Sequence, residues 1–341
     1  MARTMRELCM LAEVFNPSKH RSAGTYLSEK IDGMRCLWIP ATKNMDVKHV
    51  PFANREKDKR EHIATGLWSR YGKIIHCPPW FTEGFPDYPL DGELYLGRRA
   101  FQSLMSVVKT LEPSESDWRA VRYMVFDAPR YRQLFADGTI NNVNYKYNMK
   151  LERVFHALGV TCDKPLYDFD QTYKLLRRDM KETESLRLHE QTMLPFNTST
   201  ALDIIMQKLE DITDLGGEGL MVRHPCSMWT PTRSSMLCKV KKLEDAEATV
   251  LGYRAGLGKH LGRLGSLQVR FGTTIFDLGG FTDHERRLAG EWGEYASENP
   301  GELLPEGAVS DEFPLGSMVT FRYRELSDDG IPKEARFHRR A

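Results

Sequence analysis

Apolar and β-branched positions alternate with polar ones over Tyr26 to Ile39 (YLSEKIDGMRCLWI), Arg122 to Asp127, Gly219 to His224 and Met236 to Lys242, a pattern that predicts strands. Apolar residues recur at helical spacing over Tyr145 to Leu158, Thr172 to Leu186 and Ala201 to Asp214, the last behind the capping run Asn197-Thr-Ser-Thr. Strands and helices mix without strict alternation. That pattern predicts an α+β domain of largely antiparallel sheets rather than a doubly wound parallel sheet.

After Lys242 the pattern changes. Glu247 to Arg254, Gly265 to Phe271, Thr273 to Leu278 and Ser317 to Glu325 read as short strands between glycine-rich turns. One helix is expected from about Asp283 to Ser297, opened by a capping box at Thr282-Asp-His-Glu285. Four or five strands with one helix in about a hundred residues is the content of a small closed β-barrel such as an OB-fold. The expected division is therefore 1–242 for the first domain and 243–341 for the barrel.

Composition excludes several classes. With 41% hydrophobic and 28% charged residues, the 341-residue chain can bury a sizeable core, and nothing marks it as disordered. Its six cysteines include no C-x-x-C pair, which argues against a zinc ribbon and a disulfide framework. No apolar run is long enough for a signal peptide or a membrane span, so a soluble cytoplasmic protein, or one in the DNA-containing compartment of its host, is expected. The net charge of +1 conceals a division. Leu243 to Ala341 holds 12 basic and 17 acidic residues, leaving 36 basic and 30 acidic of the 48 and 47 elsewhere. A polyanionic partner for the larger part is permitted, although such an excess is often only a solvated surface.

Five patches carry candidate chemistry. Lys30, between Glu29 and Asp32 and followed by Gly33 and Arg35, is the candidate nucleophile. Asp91-Gly92-Glu93 follows a proline-rich loop, Phe126-Asp127 ends a strand, and Glu218 to Arg223 enters one. Lys239 and Lys241 alternate on a strand, so both amines share a face. Taken separately, an acidic turn, a core phenylalanine, a strand-end salt bridge and a solvated lysine face explain them as well.

In order, Lys30-x-Asp-Gly-x-Arg35, Trp68-Ser-Arg70-Tyr-Gly, Asp91-Gly-Glu93, Val125-Phe126-Asp127, Glu218-Gly-Leu-Met-Val-Arg223 and Lys239-x-Lys241 resemble the nucleotidyltransferase motifs of ATP-dependent DNA ligases. Asp245 to Tyr253, Gly258 to Gly265 and Phe281 to Arg286 resemble their OB-fold segment, so the likeness covers nearly the whole chain. It implies ATP as cofactor, Mg²⁺ or Mn²⁺ as metal, and nicked double-stranded DNA as the partner of a monomer. It implies that Lys30 forms a lysyl-AMP, Arg35 and Glu93 hold the ribose, Phe126 stacks on adenine, and the main chain at Glu29 and Lys30 reads the base edge. Glu218 is then the metal carboxylate, and Lys239 with Lys241 supplies positive field at the phosphates. Arg70 contacts the nick phosphate and Asp32 acts on the 3′-hydroxyl side or on a metal.

The carboxy-terminal motif of these ligases, R-x-D-K, is incomplete. Arg339 stands at the motif arginine in Arg336-Phe-His-Arg339-Arg340-Ala341, and the aspartate and lysine are missing. Arg336, Arg339 and Arg340 can serve as phosphate clamps, and a frayed basic tail explains them equally well. With 29 residues before Lys30, the resemblance is to compact, phage-like two-domain ligases. Reach onto DNA then falls to inserted loops, either the basic run Asn54 to Arg60 or residues between Asp127 and Gly216. The competing readings are an RNA ligase or mRNA-capping guanylyltransferase, which share the lysine nucleophile and barrel, and an inactive nucleic-acid-binding module.

Overall fold

The computed structural model describes residues 8–55, 62–134, 159, 166–288, 290–310, 312–324, 326–327 and 329–340. The expected helix Tyr145 to Leu158 and most of the run Asn54 to Arg60 lie outside them. The chain divides into two compact units, Met1–Lys241 and Lys242–Ala341.

Strands of the first unit are, in chain order, β1 (Leu11–Val14), β2 (Tyr26–Glu29), β3 (Met34–Trp38), β4 (Leu67–Ser69), β5 (Leu90–Tyr95), β6 (Arg122–Asp127), β7 (Leu186–Leu188), β8 (Thr192–Met193), β9 (Leu220–Arg223) and β10 (Arg233–Val240). They form two five-stranded sheets, β1-β10-β9-β2-β8 and β4-β3-β5-β6-β7. Among the described residues of this unit only the β1–β10 and β6–β7 strand pairs are parallel, so the α+β, largely antiparallel expectation is met.

The stretch Tyr26 to Ile39, continuous as a pattern, is two strands in two different sheets. The break falls at Lys30 to Gly33. Lys30 N–H still donates to Gly219 C=O (2.8 Å), extending the β2–β9 ladder one residue before the chain crosses. Gly33 is required there by close approach: a Cβ would sit 2.2 Å from the Leu94 carbonyl oxygen on β5.

Each sheet has its own core. The helix Thr198–Asp214 opens on Asn197, which accepts from Thr200 N–H, and buries Ala201, Ile205 and Leu209 against Leu27, Leu220 and Val222 of the first sheet. The second sheet packs Cys36, Leu94, Tyr123 and Val125 with Leu104, Trp118 and Leu176. The expected helix Thr172 to Leu186 runs instead over Phe169–Asp179. It is capped by Asp168 and Gln171, and Leu186 leaves to become a fully buried residue of β7.

The second unit holds β11 (Glu244–Ala255), β12 (Leu264–Phe271), β13 (Thr274–Leu278), β14 (Met318–Tyr323) and β15 (Arg336–Arg340), in sheet order β13-β12-β11-β14-β15. The two edges meet where Phe337 N–H donates to Gly279 C=O (2.8 Å), closing the barrel around Tyr253, Leu267, Val319 and Phe321. The helix expected from Asp283 occupies only Gly290–Glu298. Thr282 and Glu285 do exchange the bonds of a capping box, but on a turn. The buried Arg286 guanidinium donates to the carbonyls of Leu264 and Gly265 (2.6 and 2.8 Å), pinning that turn to β12.

Candidate active site

Lys30 leaves the end of β2 beside a cavity of about 380 Å³ bounded by both sheets of the first unit. That volume is in the range of small-molecule sites. Its walls include Glu29, Lys30, Arg35, Arg70, Glu93, Phe126 and Lys239. Seven of the eleven residues marked in the sequence therefore converge on one space. Glu218 and Lys241 join it through Lys30; Asp32 sits half-buried in the connection after Lys30, off the cavity wall; Arg339 belongs to the second unit.

The centre is a carboxylate shared by two ammonium groups. Glu218 Oε2 accepts from Lys30 Nζ and Oε1 pairs with Lys241 Nζ at 2.9 Å. Burial raises the Glu218 pKa, but the two lysines outweigh it and hold the carboxyl below its ordinary value. Glu93 goes the other way. Burial pushes its pKa up to about 7, against the pull of Lys30 and Arg35. Two carboxylates on one site thus have divergent proton affinities, a recurring mark of chemical function.

Arg35 is held from behind. Its Nε and Nη2 donate to the two oxygens of Asp91, each at 2.7 Å, and Asp91 Oδ2 also accepts from Trp229 Nε1 (2.7 Å). The guanidinium lies 4.5 Å from the Phe126 ring centroid, which fixes the ring and the charge together. Burial lowers the Arg35 pKa, but Asp91 overcomes it and the net direction is upward.

Several residues of the site carry little or no signal in the sequence. Asp91 stands in a motif, but nothing local marks it as the anchor of an arginine, and Trp229 has no local cue at all. Arg98 forks onto both oxygens of Glu29 (2.8 Å each), so the Glu29 side chain is a structural anchor. His189 Nε2 bonds the Glu29 carbonyl oxygen (2.8 Å), which makes Nε2 the protonated nitrogen; burial lowers the ring's pKa and keeps it neutral. Arg223 pairs with the buried Asp127 (2.5 Å) and lies 4.0 Å over Phe169. Arg70 is exposed, donates to the Tyr71 hydroxyl (2.6 Å) and lines the cavity mouth.

Among the described residues no three His, Cys, Asp or Glu side chains converge as a metal cage. Glu218 is a single carboxylate whose two oxygens are paired with ammonium groups; it would contribute one hard oxygen ligand to a divalent cation once Lys30 has lost its proton.

A lysine on a carboxylate, beside an aromatic-walled cavity between two largely antiparallel sheets, in a chain whose second unit is a closed barrel, is the layout of a nucleotidyltransferase fold with an OB domain. The comparisons narrow the class. The DNA ligase OB-like domain profile matches residues 255–340. A DNA ligase of Haemophilus influenzae is 25% identical over 317 residues, covering 93% of this chain and 86% of that protein. A solved structure from a study of DNA binding by Lig E DNA ligases is 27% identical, with TM-score 0.63 over 98% of both chains. Over nearly its whole length the chain is thus similar to DNA ligases.

Proposed function

We propose that this chain seals nicks in duplex DNA at the expense of ATP, with Lys30 as the covalent nucleophile. The observation that carries the assignment is the placement of Lys30 on Glu218 at the wall of a cavity that also presents Arg35, Glu93 and Phe126.

In the first step the Lys30 amine attacks the α-phosphorus of ATP, the bond to the β-phosphate oxygen breaks, and pyrophosphate leaves. Glu218 Oε2 is the atom positioned to take the Lys30 proton. Lys239 on the cavity wall and Lys241 on Glu218 oppose the negative charge that grows on the phosphoryl oxygens. Phe126 offers a stacking face for adenine, braced by Arg35, and Arg35 with Glu93 holds the ribose. A divalent cation, Mg²⁺ or Mn²⁺, would be held by Glu218 with phosphate oxygens and would supply further charge neutralisation there.

In the second step an oxygen of the DNA 5′-phosphate attacks the lysyl-bound phosphorus and Lys30 departs. In the third the 3′-hydroxyl attacks the activated 5′-phosphorus and AMP leaves. Arg70, exposed at the cavity mouth, meets the nick phosphate, and Asp32 serves the 3′-hydroxyl side. The two-domain division into an adenylation unit and an OB unit, and action as a monomer in a DNA-containing compartment, complete the proposal.

Incubation with labelled ATP or GTP followed by nicked DNA or nicked RNA tests the reading. ATP labelling and DNA sealing are expected. Covalent labelling by GTP alone would overturn it in favour of a capping-type enzyme.

A further inference from the structure

One part of the cavity wall has no role in the three steps of sealing. Ser28 and Gln191 are 8% and 9% exposed, both line the cavity, and neither side chain has a hydrogen-bond partner among the described residues. Their polar atoms are open to the cavity rather than sealed in the core, so a bound ligand's polar groups can meet them. The two belong together. β2 pairs with β8 as Tyr26 with Met193 and Leu27 with Thr192, and one further step of that register sets Ser28 beside Gln191. The Gln191 main chain is fixed, since its N–H donates to the Tyr173 hydroxyl (2.9 Å), and Tyr173 packs on Tyr26 and Phe169. The neighbouring donor, His189, is already committed to the Glu29 carbonyl.

We infer that Gln191, assisted by Ser28, reads the polar edge of the purine and sets the preference for adenine, in place of the Glu29 C=O and Lys30 N–H, which are engaged by His189 and Gly219; this rests on the reading that the cavity takes ATP. Adenine presents its 6-amino donor beside a ring-nitrogen acceptor. A carboxamide answers with an acceptor beside a donor, giving two bonds from one side chain. A carboxylate at the same place would offer acceptors only, which suits the adjacent N1–H and 2-amino donors of guanine.

The test is the rate of covalent labelling against nucleotide concentration, using ATP, GTP and purine riboside triphosphate, which lacks the 6-amino group. Wild-type protein should need roughly tenfold more of the analogue than of ATP for half-maximal labelling, with the maximal rate unchanged. Gln191→Leu should need about tenfold more ATP and suffer no further loss with the analogue. Ser28→Ala should show a smaller rise, and the isosteric Gln191→Glu should shift its ratio of GTP to ATP use toward GTP. The comparison on wild-type protein needs no variant to fold. If wild-type protein uses the analogue as readily as ATP, or if Gln191→Leu loses equally on both, Gln191 does not read that edge. Absence of any covalent label on wild-type protein would sink the underlying nucleotidyltransfer reading, and this inference with it.

Discussion

Glu218 is caught between two ammonium groups, so its removal should do more than delete a ligand. Glu218→Gln removes the negative charge that Lys30 and Lys241 share and the atom placed to take the Lys30 proton, and lysyl-AMP formation is expected to fall by about 10²-fold or more. A loss below about tenfold in single-turnover labelling would remove Glu218 from the first step. Behind Arg35, Asp91 is fully buried and bound by two partners. Asp91→Ala takes the carboxylate from a half-buried guanidinium, and urea unfolding should report a loss of about 3 kcal/mol. Unchanged stability would mean that Arg35 finds another partner. Glu93 makes a prediction about pH. Its ordinary pKa of 4.5 is raised to about 7 by burial, so between those values the folded protein keeps a proton that the unfolded chain has lost. Stability should therefore fall as pH rises from about 4.5 to about 7, and Glu93→Gln should flatten that part of the profile. A slope that survives the substitution would assign the titration elsewhere. Lys30, Arg35, Glu93, Phe126 and Glu218 were legible because their motifs are local in sequence. Asp91 as the anchor of Arg35, Trp229, His189 and Gln191 were not, because each gains its meaning from a partner tens of residues away or more.

At the scale of elements, the strand patterns mapped onto strands but their sheets did not. Nothing in Tyr26 to Ile39 tells that β2 and β3 belong to different sheets, because alternation continues through the crossing and only Gly33 marks it. The expected effect of Gly33→Ala follows: Cβ meets Leu94 C=O, β5 must shift, and Glu93 shifts with it. β15 is the opposite case, a basic segment that reads as a tail. Its pairing with β14 and its bond to Gly279 make it a barrel strand, and these are long-range interactions that a five-residue pattern cannot encode. Arg339 and Arg340 remain exposed on it, with Arg340 near Glu312 (3.4 Å). Since deletion would open the barrel, Arg339→Ala is the sharper variant. It should slow self-adenylation more than sealing of a pre-adenylated nick. Equal slowing of both would deny the arginine a part in the first step.

At the scale of the whole molecule, charge is divided between the units, with 36 basic and 30 acidic residues before Leu243 and 12 and 17 from there on. Affinity for nicked DNA is expected to fall linearly with the logarithm of salt concentration. Replacing Arg55, Lys57, Lys59 and Arg60 by alanine should lower that slope by about one for each DNA phosphate the run neutralises. An unaltered slope would leave this basic run a solvated surface. The order of motifs along the chain made the class of protein legible, whereas the convergence of two sheets on one cavity needed the fold. The most direct measurement is intact-mass detection of the covalent adenylate on wild-type protein and on Lys30→Ala, followed by a chase with nicked DNA. Wild-type protein should gain one AMP and lose it as the nick closes, and a folded Lys30→Ala should gain none. An adenylate on Lys30→Ala, or one on wild-type protein that nicked DNA fails to discharge, would contradict the assignment of Lys30 as the ligase nucleophile.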